Sequence, residues 1–319
     1  RVLSFSRFMK ELYLGRYIIT NPCSIGFQIK LVLSGNRSNE TITLGDKIMT
    51  ETQESVNPEF ITLDEAAAMT SGTRVTFVPG VQAMYSEALK NICFVKKVPL
   101  IRVLHPHMGV DETTGKDRQA KLYELTSQTS LPTMLHDKER PRNVWIEQLA
   151  LAEQIGSVDS PALIPDNFEL RVEMFGLCAV VLAEDGLIWN MRILIESPLG
   201  QKYGYSEEAS SAAPGKIAEV ITLIDNRLKA QEKRDSRYLL GDALTAADIY
   251  WATMSMTVLP VPPGIMPKTQ QNKGMLLFFE SNSKIPVIEE ALTKRIKDHQ
   301  QFILTTYCET PAVLGGDSL

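Results

Sequence analysis

Trp189 and Arg192 stand one helical turn apart in a stretch whose pattern predicts a helix from Gly186 to Glu196. Residues three apart share a helix face, so both side chains would point at the same neighbour. If that face lines a cleft, the indole covers the apolar part of a substrate and the guanidinium holds an anionic group. The structural alternative is that Trp189 packs in the core and Arg192 pairs with Glu184 or Asp185.

The other polar residues do not indicate metal or nucleotide chemistry. His105 and His107 flank a proline and His136 ends a predicted strand, with no carboxylate or cysteine at ligand spacing. The four cysteines are equally scattered, as is typical of reduced thiols in an intracellular protein. No phosphate-binding glycine loop and no serine elbow occur. We therefore predict no metal site.

One stretch, Thr245-Ala-Ala-Asp248, has the sequence of a capping box and precedes an apolar run. In such a box the Thr245 hydroxyl accepts from the third helical N–H, and the Asp248 carboxylate accepts from the Thr245 N–H. The helix that follows has almost no polar side, which predicts that it is buried in a helical core. A buried helix end needs its cap, because unpaired polar groups away from water are costly.

Residues 71–157 alternate strand and helix patterns, which favours a thioredoxin-like domain. Strands are predicted at Arg74–Val78, Val98–Leu104 and Leu131–His136, and helices at Met84–Val95, Asp117–Ser127 and Val144–Ile155. In the thioredoxin-like fold a proline with a cis peptide bond precedes the third strand, and Pro132 is the candidate. An ordinary proline at a strand edge is the alternative interpretation.

The remaining segments are a linker, a helical domain and two ends. Pro161 and Pro165 mark the linker, and residues 168–306 form the predicted all-helical domain, with residues 307–319 as a tail. Helices in this domain are expected at residues 168–183, 186–196, 215–233 and 285–306 besides the capped one. Residues 1–70 form an N-terminal extension. It is either a poorly packed remnant beside a cleaved organelle-targeting segment or an apolar arm that docks onto a partner or onto the body of the protein.

Tyr238-Leu-Leu-Gly-Asp242 before the capping box resembles the C-terminal domain of the glutathione transferase superfamily. Three further segments resemble a divergent, glutathione transferase-like branch without an assigned reaction: Pro79-Gly-Val81 with Glu87, Pro141-Arg142 before Trp145, and Glu184–Arg192. The resemblance covers residues 73–305. It implies an α/β plus all-α fold, in which a thioredoxin-like domain precedes the helical domain.

The same resemblance implies a glutathione site. Leu131 beside Pro132 would present its backbone to the peptide, and Arg142 and Asn143 would hold its γ-glutamyl end, although the acidic residue usual there is absent. Trp189 and Arg192 would face the second substrate. The residue that activates the thiol in this family is a Tyr, Ser or Cys near the first helix of the domain. Gln82 or Ala83 stands at that position, which leaves Tyr85 and Ser86 as the catalytic candidates.

Composition narrows the partners and the compartment. Of the 319 residues 44% are hydrophobic and 22% charged, as in globular proteins, and the net charge of -5 gives no reason to expect nucleic acid as a partner. The longest apolar run, Ile18–Leu33, is interrupted by polar residues, so no transmembrane segment is predicted. We expect an intracellular protein, either cytosolic or in an organellar matrix or stroma.

Two functions of different classes remain open from the sequence. In the first, the chain is a catalytically degenerate glutathione transferase-like protein that binds glutathione or a related thiol beside Pro132. In the second, it is a non-catalytic accessory subunit or binding module, and residues 1–70 connect it to a homodimer partner or to a larger assembly. The missing activating residue and the apolar extension favour the second function, and the proline position favours the first.

Overall fold

The computed structural model describes residues 59–314, and the predicted extension up to residue 58 lies outside the described residues. A four-stranded sheet forms the first part of the fold, which we call the sheet domain. Its strands are β1 (Phe60–Ile61), β2 (Thr73–Phe77), β3 (Leu100–Leu104) and β4 (Met134–His136). They lie in the order β1–β3–β2–β4, in which β1–β3 and β2–β3 are parallel pairs and β2–β4 is antiparallel.

Within the described residues the sheet domain has four helices, of which the last three follow the predicted order. They are α1 (Leu63–Ala68), α2 (Met84–Val95), α3 (Ala120–Thr126) and α4 (Trp145–Ile155). The central strand β2 is buried along its whole length, since helices cover the sheet on both sides of it. The final strand of the thioredoxin-like pattern is reduced to one bridge, in which Met134 and Arg142 exchange backbone hydrogen bonds of 2.8 and 2.9 Å. The prediction of a thioredoxin-like domain is confirmed at this level.

Strand β1 and helix α1 add a unit before the thioredoxin-like pattern, within the range assigned to the extension. Thr62 caps α1 in a capping box with Glu65. The buried guanidinium of Arg74 on β2 then donates to the carbonyls of Ala66 and Met69 at 3.0 and 2.6 Å. These bonds attach α1 to the sheet, so the folded body begins before residue 71. A strand of two residues is too short to give a periodic signal in the sequence.

Residues 168–314 form the helical domain. Its helices are α5 (Phe168–Leu182), α6 (Leu187–Arg192), α7 (Pro198–Lys202), α8 (Glu207–Glu232), α9 (Ala246–Met254), α10 (Lys273–Asn282), α11 (Pro286–Ala291) and α12 (Lys294–Tyr307). Helix α8 begins eight residues earlier than predicted and includes Pro214, because Ser206 caps it by accepting from the Ala209 N–H at 3.0 Å. The predicted last helix is two helices, since Thr293 caps a new start. Helices α7 and α10 were not predicted.

Helix α9 is the centre of the molecule, as the capping box indicated. All nine of its residues are buried, and it contacts α2, α5 and α12. The capping box is present: Asp248 accepts from the Thr245 N–H at 2.8 Å and from its hydroxyl at 2.9 Å. Two partners from elsewhere in the chain share the same carboxylate, the Leu239 N–H at 2.7 Å and His299 Nε2 at 3.2 Å.

Helix α9 also joins the two domains. On its side facing the sheet domain, Thr253 Oγ1 accepts from the Asn91 amide at 3.1 Å, and the Tyr250 hydroxyl donates to the Trp145 carbonyl at 3.4 Å. The side chains of Trp145 and Tyr250 meet edge to face with their ring centroids 5.8 Å apart. One large hydrophobic cluster therefore spans both domains, while a smaller separate cluster of the sheet domain contains Leu63, Ala66, Val103, Leu122 and Leu135.

Candidate functional site

The loop before β4 carries the first part of the candidate site. The Leu131–Pro132 peptide bond is cis, as the resemblance implied. The neighbouring backbone is tied down: Thr133 donates to Thr76 Oγ1 at 2.8 Å, its carbonyl accepts from the Thr76 N–H at 3.0 Å, and the Pro132 carbonyl accepts from Gln148 at 2.9 Å. Within residues 59–314, neither the N–H nor the carbonyl of Leu131 has a hydrogen-bond partner. A half-buried backbone donor and acceptor are thus left free on a rigid loop.

Arg142 and Asn143 lie beside this loop but are partly engaged already. The Arg142 guanidinium forms an ion pair with Glu139 at 2.5 Å and donates to the Arg140 carbonyl at 2.7 Å. The Asn143 amide donates to the Thr126 carbonyl at 3.4 Å, and its buried Oδ1 has no partner among the residues that the structure describes. The position where an acidic residue was missing from the sequence therefore presents an uncharged acceptor.

The start of α2 holds the two catalytic candidates, and neither is free. Ala83 is the N-cap of α2 and makes no side-chain hydrogen bond. Ser86 is buried and donates to the Thr76 carbonyl at 3.3 Å, so its hydroxyl faces the sheet rather than the cleft. Tyr85 reaches the other domain and donates a short hydrogen bond to the Leu182 carbonyl. Burial raises the pKa of Tyr85, and the positive charge of Arg192 opposes that rise.

Trp189 and Arg192 do share a face, and this face lies against Tyr85 and Tyr203. The guanidinium carbon of Arg192 is 4.8 Å from the centre of the Tyr85 ring and 4.0 Å from that of Tyr203. Trp189 meets Tyr203 edge to face at 5.1 Å. The structural alternative for Arg192 does not apply, because Asp185 pairs with Lys216 at 2.5 Å, and within residues 59–314 Arg192 has no carboxylate partner.

Helix α7 closes the cleft from the helical side, which sequence reasoning missed. Lys202 Nζ lies 3.2 Å from Thr129 Oγ1 and 3.0 Å from Ser130 Oγ, and the Tyr203 hydroxyl lies 3.2 Å from Ser130 Oγ. The segment read as a loop from the sequence, since its glycines dominate the pattern. Lys202 and Tyr203, between Gly200 and Gly204, are the only local sign that this segment contributes to the site. The local sequence does not identify Ser130 as their partner.

His105 lies at the carboxyl end of β3, where its backbone N–H donates to the Phe77 carbonyl at 2.9 Å. The residue is 8% exposed, and no group within residues 59–314 bonds to its Nδ1. Burial, with the nearby charge of Lys202 adding to it, lowers the pKa of His105 to about 4. At neutral pH the imidazole is therefore uncharged.

The described cysteines offer no reactive thiol. Cys93, Cys178 and Cys308 are all buried, and burial raises the pKa of Cys93 and of Cys308 to about 12 and that of Cys178 further. Thiols of this kind stay protonated and inert. Within residues 59–314 no group of three or more His, Cys, Asp or Glu side chains could hold a metal ion. In the same range no helix is both long and apolar enough to cross a membrane.

The described residues form a thioredoxin-like sheet domain joined to a helical domain around a capped and buried helix, which is the architecture that the sequence resemblance implied. No family model matches the sequence, and no curated protein matches it. Three solved structures illustrate what the chain is similar to, and all three are similar at a TM-score of 0.44.

The first is a tau class glutathione S-transferase from mango, Mangifera indica, at 12% identity over 73% of this chain and 97% of the other. The second is maleyl pyruvate isomerase, a bacterial glutathione S-transferase of the zeta class, at 20% identity over 68% and 95%. The third is Ure2p in complex with glutathione, at 12% identity over 70% and 99%. Likeness at this level assigns no reaction to the chain.

Proposed function

We propose that this chain is a catalytically degenerate glutathione transferase-like protein that binds glutathione or a related thiol peptide beside Leu131 and Pro132. The observation that carries the proposal is the unpaired backbone of Leu131, on a loop in which the Pro132 carbonyl and both backbone groups of Thr133 are bonded. An extended peptide pairs with such a donor and acceptor in the manner of an added strand. Because the loop is already held in place, little conformational entropy is lost on binding.

The surrounding side chains suit the two ends of the peptide. The unpartnered Oδ1 of Asn143 suits an ammonium group, because a buried acceptor without a donor is unfavourable until a ligand supplies one. The Arg142 guanidinium, although paired with Glu139, remains available to a carboxylate through exchange of an exposed partner. Trp189 and Arg192 line the helical side of the same cleft in this proposal.

The degeneracy follows from the state of the hydroxyl groups near α2. A thiolate is stabilised by a free hydrogen-bond donor at the start of the helix. Both candidate hydroxyls already donate to backbone carbonyls, Ser86 to Thr76 and Tyr85 to Leu182. A thiol bound here keeps an ordinary pKa and attacks electrophiles slowly. We therefore propose binding without appreciable turnover.

Calorimetric titration with glutathione tests the binding, and a conjugation assay with 1-chloro-2,4-dinitrobenzene tests the turnover. The informative variant is Leu131→Pro, which removes the backbone donor, and Leu131→Ala is its matched control because it keeps that donor. We expect saturable binding by the unmodified protein and by Leu131→Ala, and at least about tenfold weaker binding by Leu131→Pro. A thermal melt of each variant checks that it is folded.

Two results would end this proposal. Absence of saturable binding at millimolar glutathione in the unmodified protein removes the site. Turnover well above the uncatalysed rate removes the degeneracy, and Tyr85→Phe then shows whether that hydroxyl carries the reaction. The accessory-subunit alternative, the homodimer and the intracellular compartment stay predictions, since the arm on which the first depends lies outside the described residues.

A further inference from the structure

A second cavity, of about 430 Å³, lies within the helical domain. Its lining residues all fall between Glu184 and Lys216, from the turn before α6, from α6 itself, from the end of α7 and from α8. A volume of this size holds a small organic molecule. The site proposed for glutathione uses the loop before β4, so the two sites differ in their walls and share only Trp189 and the end of α7.

One wall of this cavity is aromatic and held in place. Trp189 and Tyr203 meet edge to face at 5.1 Å, and Ile193 lies beside them. Arg192 stacks on the Tyr203 ring at 4.0 Å, and Ser130 holds the Tyr203 hydroxyl at 3.2 Å. Rings fixed in this way present an apolar and polarisable surface at small entropic cost, which suits a planar ring on the ligand.

The charges around the cavity are balanced in sign but not all paired. Lys216 and Asp185 neutralise each other at 2.5 Å. Glu184 lines the cavity and is exposed, and within residues 59–314 its carboxylate has neither an ion pair nor a hydrogen bond. Lys202 uses two of its three ammonium donors in hydrogen bonds to Thr129 and Ser130. Within residues 59–314 it has no carboxylate partner. One carboxylate and one ammonium therefore remain unmatched.

We propose that this cavity binds a small aromatic zwitterion, of the type of a free aromatic amino acid. Its ammonium group pairs with Glu184, its carboxylate pairs with Lys202, and its ring packs on Trp189 and Tyr203. A ligand with only one charge leaves one of the two protein charges unmatched, so it binds more weakly. The proposal does not depend on glutathione binding.

Three probes with the same phenylethyl frame separate the contributions of the two charges. They are L-phenylalanine, which carries both charges, 2-phenylethylamine, which carries only the positive one, and 3-phenylpropanoate, which carries only the negative one. Titration is followed by tryptophan fluorescence, because Trp189 lines the cavity, whereas Trp251 is fully buried and Trp145 packs against Tyr250 outside the lining. We expect phenylalanine to bind about two- to fivefold more tightly than either analogue, as exposed ion pairs of modest strength would give.

Two charge-removing variants then assign each end of the ligand. Glu184→Gln weakens phenylalanine and phenylethylamine and leaves phenylpropanoate unchanged, whereas Lys202→Met weakens phenylalanine and phenylpropanoate and leaves phenylethylamine unchanged. Glu219→Gln, an exposed change on α8 outside the cavity lining, is the matched control and alters none of the three. Equal affinities for the three probes, no saturable signal with phenylalanine, or a preference unchanged in both variants would each overturn the proposal.

Discussion

The guanidinium of Arg192 lies over the ring of Tyr203, with its central carbon 4.0 Å from the ring centre. Arg192 ends α6, and Tyr203 directly follows α7, so this contact fixes one short helix against the other. The Tyr203 hydroxyl continues the connection to Ser130 at 3.2 Å, on the loop before Pro132. A cation–π contact inside the helical domain is thus continued by a hydrogen bond to the loop before β4.

Removing this contact is expected to destabilise the protein. Arg192→Ala loses two cation–π contacts, with Tyr85 and with Tyr203, and we expect the free energy of unfolding to fall by about 1–2 kcal/mol. Urea unfolding followed by circular dichroism measures the change. Arg227→Ala, which loses an exposed ion pair with Glu173, is the control and should cost less than about 1 kcal/mol. Equal effects of the two variants would contradict the packing role of Arg192.

The buried carboxylate of Asp248 should be among the most sensitive positions. Asp248→Ala leaves two backbone donors, at Leu239 and Thr245, and the His299 ring without their shared acceptor, inside the core. We expect a loss of about 3 kcal/mol or more in the free energy of unfolding. Asp298→Ala, an exposed aspartate on α12, serves as the control and should change it by less than about 1 kcal/mol. A loss below about 1 kcal/mol for Asp248→Ala would show that the cap is not needed.

His105 should make stability depend on pH. Its pKa is about 4 in the folded protein and near 6.5 in the unfolded chain, so between these values the unfolded state takes up a proton that the folded state does not. The contribution is therefore complete above pH 6.5 and is lost as the pH falls towards 4, up to about 2–3 kcal/mol. In His105→Asn the difference in unfolding free energy between pH 7.5 and 4.5 should shrink by roughly that amount.

The exposed neighbour His107 provides the control for that experiment. His107→Asn should leave the pH dependence of stability as it is in the unmodified protein, because the substitution removes an exposed side chain and leaves the buried His105 in place. If the two variants behave alike, the pH dependence has another source than the burial of His105.

The boundary of the folded body can be tested by two deletions. Removing residues 1–58 keeps β1 and α1, and we expect the midpoint of urea unfolding to stay unchanged. Removing residues 1–70 also removes the carbonyls of Ala66 and Met69, which leaves the buried Arg74 guanidinium with two fewer acceptors. This second deletion should lower the midpoint clearly or prevent folding. A protein that stays equally stable without residues 59–70 would return the boundary to residue 71.

The shorter deletion also tests the docking arm. If residues 1–58 connect the chain to a partner or to a second copy, the deleted protein elutes at a smaller mass in size-exclusion chromatography with light scattering, while its unfolding midpoint stays the same. An unchanged mass together with an unchanged midpoint would remove the arm hypothesis.

Much of the fold was predictable, because its signals are local. The helix at Met84–Val95 has the predicted bounds, and the capped helix starts where Thr245 and Asp248 indicated. Errors concentrate where the local signal is short or contradictory. The two-residue strand β1 shows no period, and Pro214 inside α8 reads as a helix break although the cap at Ser206 starts the helix before it.

The candidate site was predictable only in part. Helical spacing predicts that Trp189 and Arg192 lie on one face of their helix. The predicted order of strands identifies Pro132 as the proline before the third strand. The partners of these residues do not follow from spacing. Ser86 is only one residue from Tyr85, yet one hydroxyl turns to Thr76 and the other crosses to Leu182. Which direction each takes depends on how α2 packs against the sheet and against α5.

The sequence by itself determined the order of strands and helices, the cap at Thr245 and Asp248, and the proline at the start of β4, since each depends on residues within a few positions of one another. Only the tertiary structure decided that Arg192 meets Tyr85, that His299 shares the Asp248 carboxylate, and that Lys202 reaches Ser130. These partners are 51 to 107 positions apart, as 299 − 248 and 192 − 85 give at the two extremes. Contacts over such distances arise from the packing of whole helices, which no local pattern specifies.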